Sequence, residues 1–97
     1  MTEKTAIRKN LANIRDYYRL LKRLRKNESI VLTDGEQKMI ADYDAAMVDA
    51  PLLIRMVYLQ MYHEGMTQKE VASLLGLSER QIQRYHADMC ERLRGIG

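Results

Sequence analysis

Apolar residues recur at helical spacing in several separate stretches of this chain, and polar residues punctuate the gaps between them. Over residues 5–26, Ile7, Leu11, Ile14, Tyr18 and Leu21 follow a 4-3-4-3 spacing, with Tyr17 and Leu24 widening the stripe. That pattern predicts one long amphipathic helix. Asn27 to Thr33 breaks it; Ile30-Val31-Leu32 is too short for a strand and is expected to be a connector that docks apolar residues into the core. Thr33 or Asp34 caps a second helix running to about Val48, whose apolar face is Met39, Ile40, Tyr43 and Met47. Asp49-Ala50-Pro51 is the expected hinge between halves, because Pro51 suits the first turn of a helix and disfavours helix at Ala50. A third helix then continues to Gly65, with Leu52, Leu53, Met56 and Leu59 joined by Val57 and Tyr58 as its apolar face.

Met66 to Leu93 carries the most specific signal. Thr67 precedes Glu70 by three residues, and Ser78 precedes Gln81 by three. Each pair fits a capping box, in which the hydroxyl accepts a backbone N–H and the longer side chain reaches back. Gly76 lies between the two starts, where a helix end needs a left-handed residue. The reading is a helix from Gln68 to Leu75, a turn at Gly76-Leu77-Ser78, and a helix from Glu79 to about Arg94. Ala72, Gly76 and Ile82 supply the small residue, the turn and the branched anchor that a helix-turn-helix needs. On a helical wheel Ile82, Tyr85, His86, Met89 and Leu93 fall inward, while Arg80, Gln83, Arg84 and Ala87 fall outward with Gln81 on the flank. Arg can bond a guanine edge twice and Gln an adenine edge, and a small Ala lets a helix lie close to a groove wall.

Composition narrows the class. Ninety-seven residues suit one modest core, and with neither Phe nor Trp the bulky packing falls to seven Met and six Tyr. No apolar run approaches the roughly 18 residues of a membrane span, and the polar start Met1-Thr2-Glu3-Lys4 shows no secretory signal. Cys90 is alone, which excludes a disulfide framework within one chain and favours a cytoplasmic setting; Cys90 reads as a packing residue on a helix flank. One Cys with His63 and His86 does not make a structural zinc site. No cofactor is expected.

Charge is unevenly placed within the net +3. Residues 1–27 hold nine Lys/Arg against two acids, residues 28–50 one Lys against six acids, and residues 51–97 six against five. The basic faces of the first helix carry Arg8, Lys9, Arg15, Arg19, Lys22, Arg23, Arg25 and Lys26. Two readings stand side by side: a solvated cationic helix whose stripe completes the core, and a phosphate-contacting helix beside the recognition helix. Asp42 and Asp49 share a side of the second helix without a third ligand at motif spacing, so an acidic face paired with the basic first helix, or simply solvated, is expected rather than a metal site. No Ser or Cys has a base at recognisable spacing, and the chain does not read as an enzyme.

Residues Leu53 to Leu93 resemble the helix-turn-helix of sigma-70 region 4, and more closely the small phage-encoded late-operon regulators with a region-4-like C-terminus. The resemblance rests on Tyr62, Gly65, Thr67, Glu70, Val71 and Ala72, then Leu75 to Ser78, Arg80, Gln81, Ile82 and Arg84. It implies sequence-specific binding of double-stranded DNA, transcription control and contact with RNA polymerase. The chain has no room for the other sigma regions, so it does not read as a complete sigma factor. The expected fold is all-α, a helical N-terminal half (1–50) followed by a three-helix helix-turn-helix domain (51–97). Arg80, Gln81, Gln83 and Arg84 are the candidate base readers, and Thr67, Gln68, Lys69 and Ser78 the candidate phosphate holders. Arg15, Arg19, Lys22, Arg23 and Lys26 are accessory phosphate candidates, and the first helix is a candidate homodimer contact. Two other readings stay open: a DNA-packaging subunit of the small-terminase kind, and a protein-interaction module that keeps the fold without binding DNA.

Overall fold

The computed structural model describes residues 3–96, and among these every regular element is helical. The order is α1 (Glu3–Arg23), α2 (Asp34–Met47), α3 (Leu52–Tyr58) running on into a π-helical turn (Leu59–His63), α4 (Gln68–Leu75) and α5 (Glu79–Leu93). The Met1–Thr2 start lies outside the described residues.

The stripe of α1 is buried where its spacing is strictest: Ile7, Leu11 and Ile14 are in the core, Tyr18 is half-buried, and Leu21 is already exposed. The stripe packs on the chain's own π turn and on α5. Thr33 caps α2 through a full capping box with Glu36, and Ile40, Tyr43 and Met47 face inward as their spacing requires. The connector docks only in part. Leu32 packs against the core, whereas Val31 is 92% exposed. Alternate residues of an extended segment point to opposite sides, so three adjacent apolar residues do not all reach one core. The Asp49-Ala50-Pro51 segment is a packed corner rather than a loose hinge: Ala50 is buried and Asp49 pairs with Arg92 of α5 at 3.2 Å.

The inner face of α3 differs from the wheel expectation. Ile54, Val57 and Tyr58 are buried, followed by Met61 and Tyr62, while Leu52 is 61% exposed and Leu53, Met56 and Leu59 are only half-buried. For the residues beyond Tyr58 the reason is the π turn, where Glu64 N–H bonds to the Leu59 carbonyl at 3.0 Å and Met66 N–H to that of Gln60 at 2.9 Å. An extra residue in one turn shifts the phase of everything beyond it. Gly65, at φ +77°, then reverses the chain into α4.

One core joins the two halves, running from Ile7 through Met47 and Val57 to Leu93. A polar cluster crosses it. The Asp44 carboxylate accepts hydrogen bonds from the Tyr18 hydroxyl (2.9 Å), the Tyr58 hydroxyl (2.5 Å) and His63 Nε2 (2.9 Å). It thereby ties α2 to α1, α3 and the π turn. The His63 ring stacks on Tyr18 at 3.8 Å between centroids. Partial burial pushes the Asp44 carboxyl up, but the bonds from His63, Tyr58 and Tyr18 outweigh it and hold the group below its ordinary value. Burial, followed by the hydrogen bond to Asp44, pushes both the Tyr58 and Tyr18 hydroxyls up. Asp42 and Asp49 do not meet the basic helix: Asp42 pairs with Lys38 of its own helix at 2.6 Å.

Removing Asp44 strands a buried Tyr58 hydroxyl, which costs about 1–3 kcal/mol. Asp44→Ala is therefore expected to lower unfolding stability by that amount in denaturant titrations, and Tyr58→Phe is expected to cost less in that background than alone. A loss below about 0.5 kcal/mol, the range of an ordinary surface change, would show that the cluster does not hold the helices.

Candidate nucleic-acid interface

Helices α4 and α5 start and stop by local chemistry. The Thr67 hydroxyl accepts Glu70 N–H at 3.2 Å while Glu70 accepts Thr67 N–H at 3.1 Å. Ser78 and Gln81 repeat the exchange at 3.1 and 3.0 Å. Gly76 ends α4 at φ +68°, and Leu77 N–H reaches back to the Ala72 carbonyl at 3.0 Å. A Cβ on Gly76 would meet nothing within 4 Å, so the glycine serves the turn angle rather than close packing. Val71, Ala72 and Ile82 are buried at the crossing.

The orientation of α5 follows. Ile82, Met89 and Leu93 are fully buried, Tyr85, His86 and Cys90 half-buried, and Arg80, Gln81, Gln83, Arg84 and Ala87 exposed. Arg80, Gln83 and Arg84 have no hydrogen-bond or ion-pair partner among the described residues. Their donors are uncommitted. Gln81 is more constrained: its side-chain carbonyl accepts from both the N–H (3.0 Å) and the hydroxyl (3.2 Å) of Ser78, which leaves its amide hydrogens to act as donors.

The other candidates scatter around that face. Lys69 is exposed and Gln68 half-buried, both in the first turn of α4, and Thr67 and Ser78 are exposed caps. Among the accessory basic residues, Lys22 is held by Glu64 at 2.6 Å, and Arg19 lies across Gly65, where an added Cβ would come within 3.2 Å of its Nε. Arg15 is half-buried, with an Nε that has no partner among the described residues. Arg23 ends α1, and Lys26 sits beyond it in the connector. The first turns of α1 do something the chain's periodicity had not singled out. Lys4 and Arg8 line an open groove of ≈ 590 Å³ together with Gln68, Gln83, Ala87 and Arg94. The signal was present: Lys4, Arg8 and Arg15 recur at spacings of four and seven, hence on one face of the helix.

Behind α5, the Tyr62 hydroxyl lies 2.5 Å from His86 Nε2. With Tyr62 donating, the ring proton sits on Nδ1 and faces Cys90 Sγ at 3.8 Å. Burial, and then the nearby Arg8 charge, pushes the His86 pKa down. Burial likewise pushes the Cys90 thiol up and the Tyr62 hydroxyl to about 12. A thiol held protonated inside a helix packing layer is a poor nucleophile.

The family model of the homeodomain-like domain matches residues 49–96. Over that span the chain is similar to a helix-turn-helix of the DNA-binding kind, and the span corresponds to α3 through α5 with the corner before them. No curated protein and no solved structure matches the chain. No helix among the described residues is long and apolar enough to cross a membrane.

His86 gives a pH test of the support behind α5. Because it is harder to protonate folded than unfolded, the unfolded chain binds more protons below the ordinary value of 6.5. Its stabilising contribution is therefore full above that value and declines as the pH falls below it. Thermal melts at about pH 7.5 and about pH 5 should show wild type losing more stability on acidification than His86→Gln. Equal pH dependence in the two proteins would show that His86 is not buried in its neutral form.

Proposed function

We propose that this protein is a sequence-specific regulator of transcription that binds double-stranded DNA, encoded by a phage or prophage and acting in the bacterial cytoplasm. The observation that carries the reading is the face of α5. Arg80, Gln83 and Arg84 project with uncommitted donors from a helix whose opposite side is anchored in the core by Ile82, Met89 and Leu93. Such a face inserted N-terminus first into a major groove brings its first two turns to the base edges. In this reading Arg84 and Arg80 bond guanine edges, Gln83 bonds an adenine edge, and Gln81 contributes through its amide hydrogens. Exposed Ala87 allows close approach. Thr67, Gln68, Lys69 and Ser78, at the starts of α4 and α5, hold the flanking phosphates.

The likeness of Leu53–Leu93 to sigma-70 region 4 makes RNA polymerase the protein partner that best fits a regulator of this kind. A homodimer through α1 would use Leu20 and Leu21, which stay exposed while Ile7, Leu11 and Ile14 are consumed by the chain's own core. Arg15, Arg19, Lys22, Arg23 and Lys26 are proposed accessory phosphate contacts. The contribution of Lys22 is the smallest, because Glu64 already neutralises it.

Fluorescence anisotropy on promoter fragments of the source genome, against scrambled duplexes, tests the reading. Arg84→Ala is expected to weaken binding to the preferred fragment by about 1–3 kcal/mol and to relax one base position. An equal loss on every duplex would make Arg84 a phosphate contact, and no wild-type binding even at low salt would sink the DNA reading.

A further inference from the structure

The basic stripe of α1 has two ends that do different things. On a wheel of about 100° per residue, Lys4, Arg8, Arg15, Arg19 and Lys22 fall within about 60° of one another. At the C-terminal end the charges are turned inward on the chain: Lys22 pairs with Glu64, and Arg19 lies over Gly65. These contacts fasten α1 to the turn that leads into α4. At the N-terminal end, Lys4 and Arg8 are exposed and have neither a hydrogen bond nor an ion pair among the described residues.

Their position gives the free charges a use. The groove they line has α1 on one bank and the Gln83–Ala87 flank of α5 on the other, with Gln68 of α4 between. Arg8 is close enough to α5 for its charge to act on His86 and Cys90, and on Tyr62 beneath them. A recognition helix in a major groove is flanked by sugar–phosphate backbones, and a strand running along the Gln83–Ala87 side would lie against this groove. Among the described residues the one acid lining it, Glu91, is paired with Arg94 at 2.8 Å. The remaining lining charge is therefore cationic, the sign a phosphate chain requires.

We infer that Lys4 and Arg8 seat the phosphates of the DNA strand running along the Gln83–Ala87 flank of α5, so that α1 forms a second wall of the DNA site. This rests on the DNA-binding reading of α5. It adds phosphate contacts in the first turns of α1 to the accessory ones proposed above, and gives Lys22 and Arg19 a fastening role as well.

The test compares two double variants of the full chain that remove equal charge. Lys4→Gln/Arg8→Gln empties the groove, and Lys9→Gln/Lys38→Gln removes two exposed charges that do not line it. Affinity for a promoter duplex and for its scrambled counterpart is measured between about 50 and 200 mM salt. The groove variant is expected to lose the same fold of affinity on both duplexes, and its slope of log K against log salt is expected to become shallower by about 1.8, the value for two phosphates. The control variant is expected to change neither by comparison. A groove variant with the slope of the control, or one whose loss is confined to the promoter duplex, overturns the inference while wild-type binding stands. Failure of the wild type to bind either duplex at low salt overturns the DNA reading and this inference together. Circular dichroism of both variants, expected to match wild type because the replaced residues are exposed, separates lost contacts from lost folding.

Discussion

A helix that offers one side to a partner has to be held along its other side so firmly that it cannot roll. For α5 this constraint is met at three levels. Ile82, Met89 and Leu93 are fully buried, and each such side chain contributes roughly 1.5–3 kcal/mol of burial. Ser78 and Gln81 fix where the helix begins. Tyr62 on His86 and Asp49 on Arg92 tie its middle and its end to the elements behind it. A helix-turn-helix pair cannot bury its own core, so α3 and α1 supply the missing cover, and the N-terminal half becomes part of the support rather than an appendage.

Hydrophobic burial is not directional, and it leaves the register of α2 against its neighbours loosely determined. The Asp44 cluster fixes what burial leaves free. One carboxylate accepts from three elements at once, and one of the donors, the Tyr58 hydroxyl, belongs to a buried side chain that needs this partner. With no Phe or Trp in the chain, tyrosine fills volume and supplies the polar handle in the same residue. The π turn belongs to this arrangement. It places consecutive residues against different helices, Tyr62 toward His86 of α5 and His63 toward Asp44 of α2.

Much of the fold was legible because its determinants are local. Capping boxes at Thr67 and Ser78 act over three residues, Gly76 answers a single backbone angle, and the stripes of α1 and α5 repeat at helical spacing. The outward set on α5 was legible for the same reason, since Arg80, Gln83, Arg84 and Ala87 all prove exposed. What escaped depends on tertiary placement. Asp44 has no local feature that sets it apart from Asp42 and Asp49, because its partners lie 14 to 26 positions away. Leu52 looked like core and is not, whereas Ile54 is, and Met61 and Tyr62 are buried in a π turn that a uniform wheel does not anticipate. Lys4 and Arg8 share a stripe with Lys22, but only the packing of α1 shows that Glu64 occupies one end and leaves the other open.

Whether α5 reads bases or only holds phosphates is settled most directly by selection from a pool of random duplexes at near-physiological salt, about 0.15 M. Base reading by Arg80, Gln83 and Arg84 predicts that successive rounds enrich one short motif, with fixed guanine and adenine positions spaced to match one face of the helix. A pool that remains bound but random in sequence would contradict it and leave α5 as a phosphate-holding surface.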